Sequence, residues 1–143
     1  MLAAGSRESS LSGLVSLVDS LPVSSLQLNF GHLGGYGPTR EVIRFLAERE
    51  LTASFNAGNT PLDLVCIAHL AATSDLGITT EIEVPVTPSA LSEEIVKAFL
   101  TFEEGELIVP AVPGLGVEIN ESIIRKFPWR SGPASIFKLK EEI

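Results

Sequence analysis

Three segments of the chain alternate polar and apolar residues, and a helix-length stretch separates each from the next. The segments are "SSLQLNF", "LTASFN" and "ITTEIEV". Apolar residues at helical spacing, from Leu11 to Val18, precede the first of them and follow the candidate N-cap Ser10. Strands that alternate with helices along a chain are typical of a parallel sheet. The pattern therefore predicts an α/β fold.

Each predicted strand keeps one polar side, although parallel strands are usually buried on both faces. Two architectures fit this pattern: the lumen of a (β/α) barrel, polar toward its C-terminal end, or an open sheet with one wet face. Because the wet-faced sheet is commoner among antiparallel strands, we favour the barrel. The polar side chains would then converge on one surface, and they are Gln27, Asn29, Ser54, Asn56, Thr79, Glu81 and Glu83.

Proline, glycine and capping residues mark the boundaries between these segments. Pro22 is expected to end the first helix, and Pro38 to open the second after the glycine-rich loop "GHLGGYG". Thr60-Pro61 is expected to cap the third helix, with Asp63 three residues later in a capping-box arrangement. That helix is apolar on nearly all sides, which predicts that it is buried.

Charge and composition exclude several classes of partner. The chain has 143 residues, a formal net charge of −8 and ten lysines and arginines without a basic cluster, which argues against nucleic acid and against an anionic membrane surface. The N-terminus lacks signal-peptide features, and no segment reaches the ~20 apolar residues that span a bilayer. A single cytoplasmic domain is expected.

Three residues with reactive side chains are expected to have structural roles. Cys66, the only cysteine, lies in the apolar run "LDLVCIAHLAA" and is interpreted as a buried, inert thiol. His69 is on the same predicted helix, where a structural role is favoured over metal ligation. His32 is interpreted as a solvent-exposed loop residue.

The last third of the chain differs in character from the strand–helix units. "EIVKAFLTFEEGELIVP" predicts a hairpin that turns at Glu104-Gly105, and "AVPGLGVEI" is extended. Asn120 can cap the short helix "ESIIRKF", and "ASIFKL" is a candidate last strand. We therefore divide the chain into strand–helix units at residues 1–86 and a C-terminal arm at residues 87–143.

The order of these motifs resembles the C-terminal part of the enolase superfamily, in its mandelate racemase/muconate lactonizing subgroup. "LTFEEGELIVPAVPGLGVEINESIIRKF" is similar to the family's C-terminal arm, and "LQLNFGHLGGYGPTREVIRFLAERE" to its sixth barrel strand, Gly-Gly loop and helix. "LTASFN" with "PLDLVCIAHLAATS" resembles the seventh unit, "TTEIE" the eighth strand, and "LAAGSRESS" the end of the fifth. The resemblance implies a partial TIM-type barrel, roughly the last four strands, with the arm.

The resemblance implies a chemistry as well as a fold. In this family a magnesium ion holds a substrate carboxylate while a base removes the proton alpha to it, giving racemisation or dehydration of hydroxy acids or sugar acids. The cap domain and the first four strands of the family have no counterpart in these residues. The chain alone is therefore expected to be incomplete or inactive and to bind no magnesium.

Family positions for the metal and the base carry other residue types here. Ser6 occupies the position of a metal-binding glutamate at the end of the fifth strand, and Glu8 could replace it only with a slipped register. Asn29 and Asn56 occupy the positions of an aspartate–histidine dyad in which the histidine is the general base. Either this dyad has been lost as a unit, or both amides simply bond loop backbone.

A glutamate of the eighth family strand donates a hydrogen bond to the forming enolate, and two residues compete for that position. Glu81 fits the spacing slightly better, and Glu83 is the alternative. Each could equally be a solvated carboxylate.

Three functional hypotheses follow from the resemblance: a subunit of a split enzyme, a non-catalytic binding or scaffold protein, and a fragment without an independent role. A small carboxylate is the expected ligand. Self-association, or a partner chain that completes the barrel, is expected because the apolar side chains of the arm would otherwise lack cover. Those side chains are Leu107, Ile108, Val109, Leu115, Val117, Ile136 and Phe137.

Overall fold

A computed structural model of the chain describes residues 2–57, 60–73, 80–84, 94–96 and 101–127. The strands are β1 (Ala3–Ala4), β2 (Ser25–Asn29), β3 (Thr52–Asn56), β4 (Thr80–Glu83), β5 (Thr101–Glu103) and β6 (Glu106–Ile108). The helices are α1 (Leu11–Ser20), α2 (Phe30–Leu33), α3 (Tyr36–Glu48), α4 (Pro61–Ala72) and α5 (Glu121–Lys126). None of these helices combines the length and the apolar character that a bilayer span requires.

Strands β1 to β4 form a four-stranded parallel sheet in chain order. The predicted α/β fold with a parallel sheet is therefore confirmed, while the partial TIM-type barrel of roughly four strands stays a prediction. Two predicted strand regions lie outside the described residues: the start of the third segment at Ile78 and Thr79, and "ASIFKL" near the C-terminus.

One face of the sheet is apolar and is covered by helices. Leu26 and Leu28 of β2 and Phe55 of β3 are almost fully buried, in one cluster with Leu14 of α1 and Leu46 of α3. Burying each such side chain stabilises the fold by roughly 1.5–3 kcal/mol. Because side chains alternate along a strand, this packing directs Gln27, Asn29, Ser54 and Asn56 to the opposite face.

The helix caps are those predicted from the sequence, whereas the glycine-rich segment differs from the predicted loop. The Ser10 and Thr60 hydroxyls accept the predicted bonds from the amides of Gly13 and Asp63. The segment read as a loop contains the short helix α2, which ends at Gly34 in the left-handed conformation with φ 91°. Helix α3 begins at Tyr36 rather than at Pro38, because a proline is tolerated throughout the first turn of a helix.

The hairpin turns at Glu104-Gly105 as predicted. Both residues have positive φ, 50° and 85°, as in the two-residue turns that match the twist of paired strands. Asn120 directly precedes α5, although its side chain makes no capping bond to the helix backbone.

The sequence suggested that the apolar side chains of the arm would lack cover, but four of them are partly buried on the chain's own core. Leu107, Val109, Leu115 and Val117 pack against the core of the strand–helix units, so that part of the expectation is wrong. His69 of α4 fastens the arm, because its Nε2 lies 3.1 Å from the carbonyl oxygen of Leu115. Ile108 remains 41% exposed, and Ile136 and Phe137 lie outside the described residues.

Candidate functional site

The polar face of the sheet is organised in rows by the strand register. Asn29, Asn56 and Glu83 are paired across β2, β3 and β4 at the C-terminal ends of the strands. Gln27, Ser54 and Glu81 form the row before it. The parallel register therefore brings the predicted strand-end residues to a common edge. We call this surface, made of these six residues, the polar face.

Glu83 is held by two neutral side chains from two neighbouring strands. The Nε2 of Gln27 donates to one carboxylate oxygen, and the Nδ2 of Asn56 lies 3.4 Å from the other. Within the part of the chain that the structure describes, Glu83 makes no ion pair with a lysine, arginine or histidine. Among the described residues, the carboxylate is thus contacted by neutral donors only.

Asn29 has a backbone role that the sequence left open. Its Oδ1 accepts a hydrogen bond from the backbone amide of His32 at 3.0 Å, which makes it the N-cap of α2. For Asn29, the interpretation in which the amide bonds backbone is therefore confirmed. His32 is exposed as expected but lies on α2 rather than in a loop, and its Nδ1 is 3.4 Å from the carbonyl oxygen of Ser6.

Ser6 and Glu8 follow β1 through a turn made at Gly5. Gly5 has φ 112°, which favours glycine, and its carbonyl accepts from the Glu8 amide at 2.9 Å. The Glu8 carboxylate lies against Gly13 in the first turn of α1. The structure therefore directs Glu8 toward a helix terminus and does not join it to Glu83.

Glu81 and Glu83 share the polar face, as their spacing predicted, but they differ in position. Glu81 is exposed in the row of Gln27 and Ser54, while Glu83 is in the strand-end row and contacts Asn56. Glu83, the alternative in the sequence analysis, is thus the glutamate that contacts Asn56. The sequence analysis placed Gln27 on the polar side of its strand but did not predict its contact with Glu83.

The remaining reactive side chains lie away from the polar face. Cys66 is half-buried rather than fully buried, and burial raises the pKa of its thiol, so that it stays protonated at neutral pH. The neighbouring Tyr36 has its pKa raised to about 12, by burial and then by a hydrogen bond with Cys66. Both shifts favour the neutral, protonated forms of these groups.

No metal-binding cluster is found among the described residues: nowhere do three histidine, cysteine, aspartate or glutamate side chains come together in an arrangement that could hold an ion.

Comparison with known protein families gives a match over most of the chain. Residues 1–123 match the family model described as enolase C-terminal domain-like. The D-galactonate dehydratase family member RspA of Halomonas elongata is 24% identical over 98% of this chain and 34% of its own length. The chain thus spans about a third of the curated relative.

Solved structures share the same fold. The 3,6-anhydro-D-galactonate cycloisomerase of Zobellia galactanivorans has a TM-score of 0.76 at 24% identity, over 87% of this chain and 35% of that one. An enolase from Pantoea ananatis, solved with bound D-gluconate and magnesium, has a TM-score of 0.73 at 20% identity, over 91% and 31%. The likeness at these identities concerns the fold.

Proposed function

The chain belongs to the enolase C-terminal domain-like family, in the mandelate racemase/muconate lactonizing subgroup of the enolase superfamily, and we propose that it forms the C-terminal part of that barrel without a proton-abstracting dyad of its own. In this proposal residues 1–86 are barrel units and residues 87–143 are the arm. The ligand is a hydroxy acid or sugar acid. The chain supplies part of the face that contacts it.

The single observation that carries the proposal is the strand-end row of Asn29, Asn56 and Glu83. Catalytic and ligand-binding groups of TIM barrels lie at the C-terminal ends of the strands, where this row lies. Two of its three members are amides, which donate and accept hydrogen bonds but do not take up a proton at neutral pH. The row therefore supports ligand contact and argues against general-base catalysis by Asn29 or Asn56.

Magnesium, which the family uses, does not fit the residues of this chain. Ser6 offers a hydroxyl where a hard cation requires carboxylate oxygens, and Glu8 is directed to α1. Titration of Mg²⁺ into the chain, followed by calorimetry, is expected to show no saturable one-to-one binding in the micromolar range. Saturable binding that Ser6→Ala or Glu8→Gln abolishes would contradict this expectation.

Ligand contact at the polar face can be tested with D-gluconate, the ligand bound by the Pantoea ananatis relative. In a titration followed by ¹⁵N NMR, we expect the backbone amides of Asn29, Asn56 and Glu83 to shift together. The amides of the hairpin, Thr101–Ile108, serve as the internal control and should not move. Shifts confined to the hairpin, or none at tens of millimolar ligand, would argue against the proposal.

A second candidate is a subunit of a split enzyme, in which another chain supplies the metal site. One observation favours it: β1 and β4 are the outer strands of an open sheet in the described residues. Purification of the tagged chain from its host distinguishes the candidates. A stoichiometric partner that confers magnesium binding would favour the split enzyme over a non-catalytic binding protein.

A further inference from the structure

Gln27 makes a contact that its place in the sheet does not require. The register pairs it with Ser54 on β3, one row before the strand ends. Its Nε2 nevertheless donates to Glu83, which lies on β4 in the next row. The side chain therefore spans the intervening strand β3, on which its register partner Ser54 has a small side chain.

We propose that Gln27 is the positioning residue of the polar face, which fixes the Glu83 carboxylate over β3 for a hydroxyl-bearing ligand. This inference rests on the proposed function, because it names the group that such a ligand meets. Gln27 and Asn56 form an amide clamp, with one donor on each oxygen of Glu83. A carboxylate has about four acceptor sites, so two remain for ligand hydroxyls.

Physical chemistry explains why a positioning residue is needed here. Glu83 is exposed, and an exposed glutamate ordinarily samples several rotamers. Donors on two different strands are satisfied together only when the two carboxylate oxygens face those strands, which restricts the rotamers of the side chain. Because both donors are neutral amides, they orient the group without neutralising the charge that a ligand hydroxyl would meet.

The first test exchanges the amide of Gln27 and the carboxylate of Glu83 between the two positions. Gln27→Glu places two carboxylates together and is expected to lower the melting temperature of the full chain by about 3 °C, since like charges at contact distance repel. The double variant Gln27→Glu/Glu83→Gln restores one amide and one carboxylate and should recover most of that loss. A double variant as unstable as Gln27→Glu alone would overturn the inference.

The second test reports on the orientation of the Glu83 carboxylate by NMR and does not depend on the stability of the fold. In Gln27→Met, the side-chain amide resonances of Asn56 and the carboxyl resonance of Glu83 are expected to shift, since the clamp opens. Ser54→Val should produce the same shifts by blocking the crossing, whereas the control Ser122→Ala on α5, outside the polar face, should leave both unchanged. Unchanged resonances in Gln27→Met would overturn the inference.

Ligand affinity separates positioning from a merely structural role. With D-gluconate as the probe, Gln27→Met is expected to weaken binding about tenfold relative to the unmodified chain, because the Glu83 side chain must then lose its rotamer freedom when the ligand binds. Equal affinities of Gln27→Met and the unmodified chain would contradict the inference. Absence of binding by the unmodified chain would instead contradict the proposed function, and the resonances would still decide whether Gln27 orients Glu83.

Discussion

No exchange of the α-proton of a sugar acid with solvent deuterium is expected from this chain, alone or in a barrel completed around it. General-base catalysis contributes roughly 10²–10⁴-fold to such a reaction, and it requires a group that takes up a proton near neutral pH. Asn56 cannot do so, and its amide nitrogen is directed toward Glu83. Asn29 carries no negative charge, and its oxygen caps α2. Mass spectrometry of sugar acids incubated with the protein in D₂O measures the exchange.

The informative variant restores the dyad in the complete assembly. In the double variant Asn29→Asp/Asn56→His, the change at Asn29 is expected to leave the stability of the fold nearly unchanged, because aspartate and asparagine cap helices equally well. Exchange that rises in this variant would support the assignment of the two positions. Exchange by the unmodified assembly, lost in Asn56→Ala, would show that Asn56 does take part in proton abstraction.

Local signals in the sequence predicted most of the elements. The caps at Ser10 and Thr60 and the turn at Glu104-Gly105 depend on hydrogen bonds and backbone conformations within a few residues, and each was confirmed. Helix α2 was missed because its glycines suggested a loop. The signals for it were present: Asn29 as a cap and Gly34 as a left-handed terminator.

The site was harder to predict because it depends on register. Alternation placed Asn29, Asn56, Glu81 and Glu83 on one face, but the choice between the two glutamates required knowing which residues are paired across the strands. The contact of Gln27 with Glu83 crosses a strand and a row. No spacing in the sequence encodes it, because it depends on side-chain length and on the small size of Ser54.

The packing of the arm could not be predicted from the sequence either. Resemblance to longer proteins suggested that its apolar residues required another domain for cover. The structure places Leu107, Val109, Leu115 and Val117 on the chain's own core and bonds His69 to the arm. The periodicity of a segment identifies which side chains need burial but does not identify the surface that buries them.

Self-association, or capture of a partner chain, is expected at micromolar concentration even though part of the arm is covered. In the described residues β1 and β4 each have one unpaired edge, and unpaired edges readily add strands. Leu2 and Val84, beside these edges, are 45% and 43% exposed. Further exposed apolar residues lie on the arm: Phe102, Ile108, Val112, Ile119, Ile124 and Phe127.

The expected size of the effect follows from exposed area. At ~25 cal/mol per Å², a few hundred Å² of apolar surface is worth several kcal/mol, which is comparable with the stability of a small domain. Sedimentation velocity should therefore show dimers or larger species. Val84→Lys at the β4 edge and Phe127→Lys on the arm form a matched pair, and the variant that yields monomers identifies the interface. A compact monomer with a cooperative melt, and with protected amides in both edge strands, would contradict the expectation, because it would mean that the open sheet is stable without a neighbour.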